Sequence, residues 1–261
     1  MINKERRFGG IKRLYGPSSI ENFSKAHICI IGIGGVGSWA TEALARSGVG
    51  RLTLIDMDHV AESNINRQLQ AMDSTLGKNK VAVLAQRLWD INPECEIMQI
   101  DDFITAENLE ALLAGQFNGV VDCIDDFRTK AAVINHCRET SIELVTTGGA
   151  GGKTDPTRIQ LTDLARSEQD PLLAKTRSLL RQRYGFPRNL KKKFKVASVW
   201  SDEQQVFLWD DGQLRHQRPE SCSNQTLNCG GLGSSMPVTA TFGNIAAAYM
   251  LKKLNLLSSW L

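Results

Sequence analysis

The sequence contains no pair of cysteines separated by two residues, although six of its 261 residues are cysteine. Structural zinc sites commonly use such C-x-x-C pairs, and the spacing from Cys222 to Cys229 is too wide for a zinc knuckle. The four histidines also lack metal-ligand spacing. We therefore expect no zinc, and we expect reduced thiols packed as small apolar groups, as in other cytoplasmic proteins.

Long apolar runs are missing as well. The first residues, MINKERRFGGIKRLYG, carry cations without a following apolar segment of signal-peptide length, which predicts a cytoplasmic protein. The most apolar late segment, residues 238–254, is interrupted by Thr, Gly and Asn and is shorter than the ~20 residues of a membrane span. It is predicted to be a core helix rather than a membrane anchor, with surface association as the alternative. The net charge of +3 by itself indicates no class of partner.

Between residues 27 and 147 the sequence alternates regularly between strand-like and helix-like segments. Apolar runs such as HICIIG, RLTLID and GVVDCID are each followed by a helix-like segment, and ENLEALLAG is one of the segments predicted to be helical. Further along the chain, QQVFLWDD is predicted to be a strand. Repeated strand–helix–strand units predict an α/β, Rossmann-like fold with a mostly parallel sheet and helices on both faces. Residues 1–150 are predicted to form the main domain. Residues 151–261 are predicted to add mixed strands and a closing helix to the same core, because no linker or repeat separates the two parts.

The segment IGIGGVGS follows the first predicted strand and matches G-x-G-x-x-G. In this motif the glycines let a phosphate approach the N-terminus of the next helix. Asp56 ends the second predicted strand, where an acid can bind a ribose hydroxyl. These features fit a nicotinamide dinucleotide and ATP equally well. The glycines of this loop are Gly32, Gly34, Gly35 and Gly37.

Cations beyond the second strand favour a triphosphate. A nicotinamide site has no need of Arg67 and Lys80, whereas ATP that loses pyrophosphate needs positive charge on its β and γ phosphates. The segment VVDCIDD places Asp122 and Asp125 at the carboxyl edge of the sheet, where Mg²⁺ can bridge phosphate oxygens. Capping of a helix is the alternative for Asp125. Asp122 is predicted to bind the nucleotide, as are the other polar residues after the second strand, which are Asp58, Asn64 and Gln68.

The sequence resembles the adenylating domain of the ubiquitin-activating superfamily in four segments, GIGGVGS, LIDMDHVAESNINRQ, GKNK and DCIDD. This superfamily includes the bacterial ThiF, MoeB and HesA type activators of sulfur-carrier proteins. This similarity covers residues 7–150. One branch of the superfamily, the tRNA threonylcarbamoyladenosine dehydratases, resembles this sequence over nearly the whole chain. The additional similarity is carried by the segments RRFGG, LYG, VTTGGAGG, DPTRIQ and TATFG. The resemblance implies that residues 1–150 form an ATP-binding adenylating domain.

The resemblance also implies individual roles. Asp56 would bind the ribose of ATP, and Arg67 and Lys80 would bind its phosphates. Asp125 would bind Mg²⁺. Asn64 and Gln68 would shape the pocket. Enzymes of the superfamily are typically homodimers in which an N-terminal arginine reaches the ATP of the neighbouring subunit. Arg7 is the nearest candidate here, in a segment that departs from the arginine motif of the carrier-protein activators.

For this branch the implied substrate is the threonine carboxylate of the modified adenosine. The carboxylate attacks the α-phosphate of ATP and expels pyrophosphate, and the tethered carbamoyl nitrogen then closes a five-membered ring and releases AMP. The nucleoside loses one water overall. Residues 171–195 contain nine Lys or Arg and no Asp or Glu, which fits contact with tRNA phosphates. Solvation without a partner is the alternative for such a charge run.

Three other functions stay open at this point. Adenylation of a small carrier protein is disfavoured by the missing zinc cysteines and the basic segment. A nicotinamide-dependent dehydrogenase is disfavoured by Arg67, Lys80 and Asp125. A non-catalytic interaction protein is disfavoured because every residue expected in the ATP site is present. Cys229 is predicted to be a packed or loop cysteine, with persulfide relay from a cysteine desulfurase and its sulfur acceptor as the alternative. Binding of a monovalent cation stays open as well.

Overall fold

The computed structural model describes residues 2–219 and 232–257, without the side chains of residues 256 and 257. Cys222 and Cys229 lie outside the described residues. The strands are β1 (His27–Ile31), β2 (Arg51–Ile55), β3 (Glu96–Ile100), β4 (Gly119–Asp122), β5 (Leu144–Thr147), β6 (Ile159–Asp163), β7 (Ala197–Ser201), β8 (Phe207–Leu208) and β9 (Leu214–Arg215). The helices are α1 (Lys4–Tyr15), α2 (Ser19–Lys25), α3 (Gly37–Arg46), α4 (Lys80–Ile91), α5 (Leu109–Leu112), α6 (Phe127–Glu139), α7 (Pro171–Arg183) and α8 (Met236–Leu257).

Seven strands form one sheet in the order β3-β2-β1-β4-β5-β7-β6. All neighbours in it are parallel except β6, which runs antiparallel to β7. Every residue of β1, β4 and β5 is buried, as expected for central parallel strands covered by helices on both faces. The strands β8 and β9 form a separate antiparallel pair. The predicted fold, a mostly parallel sheet with mixed strands and a closing helix, is confirmed.

Local sequence signals explain where several helices begin. The side chains of Asn79, Asp126 and Asp170 cap the first turns of α4, α6 and α7 by accepting hydrogen bonds from main-chain N–H groups. Pro171 occupies the first position of α7, where its missing N–H costs nothing. These caps fix where each helix starts relative to the strand before it.

The second part of the chain contributes to both the sheet and its cover. The strands β7 and β6 extend the sheet beyond β5, and α8 packs along α3. Phe242, Ala246 and Met250 of α8 are fully buried in the same cluster as Ile28 and Leu44. The division of the chain at residue 150 stays a prediction, since strands from both sides of it share one sheet.

Some local predictions differ from the structure. The segment ENLEALLAG was predicted to be helical, and only Leu109–Leu112 is helix. The strand predicted in QQVFLWDD is reduced to Phe207–Leu208. Sequence analysis did not identify α1, α2 or β6. Over residues 2–219 and 232–257, no helix combines the length and apolarity required to cross a membrane.

Candidate functional site

The glycine loop connects β1 to α3 at the carboxyl edge of the sheet. Gly32 has a φ of +86°, and a Cβ at this position would lie 2.9 Å from the carbonyl oxygen of Cys123. A Cβ on Gly37 would lie 1.9 Å from the carbonyl oxygen of Gly32, closer than real Cβ atoms approach. These two glycines are therefore required by the protein's own backbone.

The middle of the loop has space around it. A Cβ built on Gly34 would meet no heavy atom within 4 Å, so this residue faces open space. A Cβ on Gly35 would lie 3.3 Å from Cγ of Arg67 and from Cγ2 of Thr239. The loop thus presents Gly34 to open space and lies against two side chains on its other side.

Asp56, at the end of β2, is tied to the glycine loop. Its carboxylate accepts hydrogen bonds from the main-chain N–H of Ile33 at 2.6 Å and of Asp58 at 2.8 Å. Burial raises the pKa of Asp56 above its ordinary value, while the nearby charge of Lys80 and these two N–H donors act in the opposite direction. An acid held in this way lies at the same edge as the loop, where a ribose is bound in folds of this class.

Lys80 is the first residue of α4, and its side chain is buried. Its Nζ lies 2.7 Å from Oδ2 of Asp58, whose own side chain is about half exposed. The main chain reinforces this pair, because the N–H of Lys80 donates to the carbonyl oxygen of Asp58 at 3.0 Å. Lys80 is thereby fixed beside Asp56 rather than extended into solvent.

Arg67 lies over the opposite side of the loop. Its guanidinium donates to the carbonyl oxygen of Ser63 at 2.7 Å, and its own carbonyl oxygen accepts the indole N–H of Trp39 at 3.0 Å. Thr239 of α8 donates to the same carbonyl oxygen at 3.4 Å. Arg67 and Lys80 therefore place two cations around the glycine loop. The role of Trp39 in holding Arg67 was not identified from the sequence.

Asn64 and Gln68 are buried in the segment that carries Arg67. Asn64 accepts a hydrogen bond from the N–H of Ala61 at 3.1 Å, and so shapes the turn. Gln68 accepts one at 3.1 Å from the side chain of Gln70, whose amide also donates to the carbonyl oxygen of Ile33 at 2.8 Å. Gln70 thus joins this segment to the glycine loop. It was missed because a single glutamine in a sequence carries no motif.

The prediction that Asp122 binds the nucleotide requires correction. Asp122 is completely enclosed, and its Oδ2 lies 2.8 Å from Nζ of Lys130 and 2.6 Å from the hydroxyl of Thr146. Its Oδ1 accepts the N–H of Ile124 at 3.0 Å. Lys130 is enclosed as well, so the two form a buried ion pair that holds β4, β5 and α6 together. The carboxylate of Asp122 is therefore not exposed at the carboxyl edge of the sheet.

Asp125 lies beyond β4 and is exposed. Partial desolvation by the surrounding protein raises the pKa of Asp125 above its ordinary value, and the negative charges of Asp58 and Asp126 raise it further. Among the residues that the structure describes, no group of three or more His, Cys, Asp or Glu side chains is arranged to hold a metal ion. A lone carboxylate still fits Mg²⁺ that arrives with a nucleotide, because this ion is commonly held by one or two carboxylates together with phosphates. The alternative, helix capping, belongs to Asp126 instead.

Arg7 does not lie at this edge within its own chain. Its Nη1 donates to the carbonyl oxygen of Ile91 at 2.7 Å, at the C-terminal end of α4. Since Lys80 begins the same helix, the 12 residues of α4 separate Arg7 from the glycine loop. Arg7 lines a surface cavity of about 480 Å³ together with Arg46, Arg87 and Asp90.

The basic segment, residues 171–195, comprises α7 and the loop that follows it. Lys191, Lys192 and Lys193 are exposed next to each other in that loop, and Arg166 donates to the carbonyl oxygens of Leu190 and Lys191 beneath them. The loop therefore presents cations on a supported backbone.

A cleft of about 410 Å³ adjoins α7 and includes Arg177, His216 and Gln205 in its lining. Gln205 donates to the carbonyl oxygen of Gly151 at 2.9 Å, and Asp170, also in the lining, accepts the N–H of Gly149 at 2.9 Å. The cleft thus borders the glycine-rich segment after β5. This connection between α7 and the carboxyl edge of the sheet was not evident from the sequence.

The cysteines of the described residues are free thiols. Cys29, Cys95 and Cys137 are buried, and desolvation raises the pKa of Cys95, Cys123 and Cys137 to about 12. Thiols of this kind are poor nucleophiles. The predictions for Cys229 lie outside the described residues.

The chain resembles known proteins over nearly its whole length. Residues 10–258 match the ThiF family. The tRNA threonylcarbamoyladenosine dehydratase of Haemophilus influenzae is 50% identical over 254 residues, which cover 97% of this chain and 94% of that protein. The structure of the Escherichia coli tRNA N6-threonylcarbamoyladenosine dehydratase TcdA in complex with ATP is 45% identical and superposes with a TM-score of 0.87, covering 98% of this chain and 96% of that one.

Similarity to a carrier-protein activator is much less extensive. The molybdopterin-synthase adenylyltransferase of Salmonella typhimurium is 34% identical over 125 residues, about half of each chain. The dehydratases of Haemophilus influenzae and Escherichia coli, in contrast, match nearly end to end. The chain therefore belongs to the ThiF family and, within it, to the tRNA threonylcarbamoyladenosine dehydratases.

Proposed function

We propose that this protein is an ATP-dependent tRNA threonylcarbamoyladenosine dehydratase. The observation that carries the proposal is the placement of two cations, Arg67 and Lys80, around a glycine loop whose Gly34 faces open space. Such an arrangement suits a triphosphate, since it offers main-chain N–H groups and positive charge together. The end-to-end similarity to dehydratases supports the choice of acceptor, and the half-length match to an adenylyltransferase supports it less.

In the proposed complex, ATP lies along the carboxyl edge of β1 and β2. Asp56 accepts hydrogen bonds from the ribose hydroxyls, and the phosphates pass over Gly34 toward Lys80 and Arg67. Asp58 orients Lys80 through the 2.7 Å ion pair. Asn64 and Gln68 act indirectly, because they shape the segment that presents Arg67.

The reaction then needs charge stabilisation more than proton transfer. As the threonine carboxylate attacks the α-phosphate, negative charge grows on the pyrophosphate leaving group, and Arg67 and Lys80 stabilise it. The tethered carbamoyl nitrogen loses its proton, bonds to the carboxyl carbon and expels AMP. The carboxylate oxygen leaves with AMP, so the nucleoside loses one water. Asp125 would hold Mg²⁺, which when bound neutralises charge on the phosphates.

The tRNA is assigned to the side of the molecule formed by α7. Lys191, Lys192 and Lys193 supply exposed positive charge for its phosphates, and Arg177 and His216 line the cleft beside Gly149. A tRNA-modifying enzyme of this kind works in the cytoplasm. The proposal also includes a homodimer in which Arg7 reaches the ATP site of the neighbouring subunit. It further includes a partnership with a cysteine desulfurase and its sulfur acceptor.

The test is a direct assay of the product. The protein is incubated with ATP, Mg²⁺ and tRNA that bears threonylcarbamoyladenosine. The tRNA is then digested to nucleosides, and the mass of the modified nucleoside is measured by mass spectrometry. The proposal expects loss of one water mass and release of AMP. Lys80→Ala should lower kcat/KM by roughly 100-fold or more, as is typical when a preorganised charge on a transition state is lost.

Lys78→Ala is the matched control, because Lys78 is exposed two residues earlier and its side chain has no hydrogen bond or ion pair with Asp56 or Asp58. It should keep activity near that of the parent protein. A nucleoside of unchanged mass would refute the proposal. If exchange of pyrophosphate into ATP then depended on a small carrier protein rather than tRNA, the protein would instead be a carrier-activating adenylyltransferase.

A further inference from the structure

Phe127 is the first residue of α6, and its aromatic ring lies outside the hydrophobic core. The residue is half-buried at the carboxyl edge of the sheet, two residues beyond Asp125. Among the residues that the structure describes, the two clusters of buried apolar side chains and the apolar residues packed against them do not include Phe127. Phenylalanine is one of the residue types most often found in a core, so a ring kept at this edge points to a use other than packing.

Two cations lie against the ring. Cζ of Arg128 lies 4.7 Å from the ring centroid, and Nζ of Lys175, which comes from α7, lies 5.8 Å from it. Both residues are exposed, and within the described part of the chain neither side chain has a hydrogen bond or an ion pair. The neighbouring carboxylate of Asp126 accepts instead from the N–H and the hydroxyl of Thr129, at 2.8 and 2.9 Å. The aromatic face therefore carries positive charge that no carboxylate contacts.

An aromatic face flanked by cations suits a nucleotide of single-stranded RNA. The base stacks on the ring, and guanidinium and ammonium groups bind the phosphates beside it. Proteins hold splayed-out bases of RNA loops in this way. We propose that Phe127, Arg128 and Lys175 form a platform on which the threonylcarbamoyladenosine base of the tRNA stacks. This inference rests on the proposed function and adds to it the site of the reacting base.

The platform lies close to the glycine loop. The strands β1 and β4 are neighbours, and a Cβ on Gly32 would lie 2.9 Å from the carbonyl oxygen of Cys123, the residue after β4. Phe127 follows Cys123 by four residues, which span at most ~14 Å. A base stacked on Phe127 is thus near enough to extend its threonine carboxylate past Asp125 toward the α-phosphate of ATP. Phe127 binds the substrate in this arrangement and transfers no proton.

The experiment measures the affinity of the full chain for fluorescently labelled tRNA by anisotropy, without ATP so that no turnover occurs. Phe127→Leu removes the ring but keeps an apolar side chain, and it should bind tRNA with threonylcarbamoyladenosine about tenfold more weakly. Phe127→Trp retains an aromatic face and should bind like the parent protein. The matched control is Phe103→Leu, because Phe103 is exposed after β3 at the same edge and has no cation on its ring among the described residues. It should also bind like the parent.

A second tRNA, with an abasic residue in place of the modified adenosine, identifies the base that stacks. The parent should bind this tRNA about tenfold more weakly than the modified one, and Phe127→Leu should lose little further affinity, because its stack is already absent. That coupling supports the proposal. Additive losses would overturn it, since Phe127 would then contact another part of the tRNA. A large loss of thermal stability in Phe127→Leu would overturn it as well, because the ring would then belong to the core.

Failure of the platform is distinct from failure of the proposed function. If the parent binds the modified tRNA and removes water from its nucleoside while Phe127→Leu binds equally well, only the platform is overturned. If the parent does not bind tRNA, the proposed function and the platform are overturned together. ATP affinity should be the same in the parent and in Phe127→Leu, and a loss of ATP affinity would assign the ring to ATP instead of the tRNA and overturn the proposal.

Discussion

Gly34 and Gly37 lie three residues apart in one loop, and the structure predicts opposite consequences when alanine replaces each. A Cβ on Gly37 would lie 1.9 Å from the carbonyl oxygen of Gly32, and relief of this clash requires the two backbone segments to separate by about 1 Å. Overpacking of this kind lowers the free energy of unfolding by ~3 kcal/mol when no side chain can rotate away. The better helix propensity of alanine raises it by only ~1 kcal/mol. We expect Gly37→Ala to lower Tm by roughly 4 to 8 °C.

Gly34→Ala should leave the fold intact. Nothing lies within 4 Å of its Cβ position, and its φ is not positive, so unfolding free energy should change by less than ~0.5 kcal/mol. The added methyl group would instead occupy the space proposed for the ATP phosphates. ATP affinity should fall at least about tenfold, equivalent to 1.4 kcal/mol.

Two measurements on Gly34→Ala and Gly37→Ala test these expectations for stability and ATP affinity. Urea unfolding followed by circular dichroism gives the free energies, and isothermal titration calorimetry with ATP and Mg²⁺ gives the affinities. Equal stability of the two variants would show that the close approach of Gly37 to Gly32 is not a real constraint. Unchanged ATP affinity in Gly34→Ala would show that the phosphates do not lie against Gly34, and the proposed orientation of ATP would have to be abandoned.

Three further changes test other parts of the molecule. Lys130→Met should cost about 3 to 5 kcal/mol in urea unfolding, because it leaves the carboxylate of Asp122 buried without its cation; a loss below ~1 kcal/mol would contradict the buried ion pair. Because burial raises the pKa of Asp56, ATP affinity should fall on acidification at a higher pH than for an ordinary aspartate, and calorimetry on Asp56→Asn should show weak binding without that pH dependence. Reversal of charge at residues 191–193 should weaken tRNA binding in filter-binding assays and reduce the salt dependence of that binding, while ATP affinity stays unchanged. The control is Lys252→Glu, because Lys252 is exposed near the far end of α8. This variant should bind tRNA normally.

Much of the fold could be predicted because its signals are local. Each central strand is a short apolar run, and the caps Asn79 and Asp126 stand directly before their helices. The strand β6 escaped prediction because it is an edge strand with half-buried residues, which leaves a weak apolar pattern. The short α5 was overestimated because helical spacing in ENLEALLAG continues past Leu112, where the chain turns.

The predicted site shows the same limit at the level of side chains. Asp56 and Lys80 follow motifs that fix their positions on strand and helix ends, and the structure brings both to the glycine loop. Asp122 was misassigned because its sequence position at a strand end does not reveal which way the side chain faces. Only the structure shows Lys130 and Thr146 beside it.

The closing helix links the second part of the chain to the nucleotide loop. Thr239 would lie within 3.3 Å of a Cβ on Gly35, and a Cβ on Gly243 would lie 2.4 Å from the carbonyl oxygen of Val36. In addition, Asn66 donates to the carbonyl oxygen of Ser234 at 2.7 Å, beside Arg67. Residues from both parts of the chain therefore set the shape of the loop that we assign to phosphate binding. Because α8 also supplies core residues, damage to this helix should reduce nucleotide affinity and stability together.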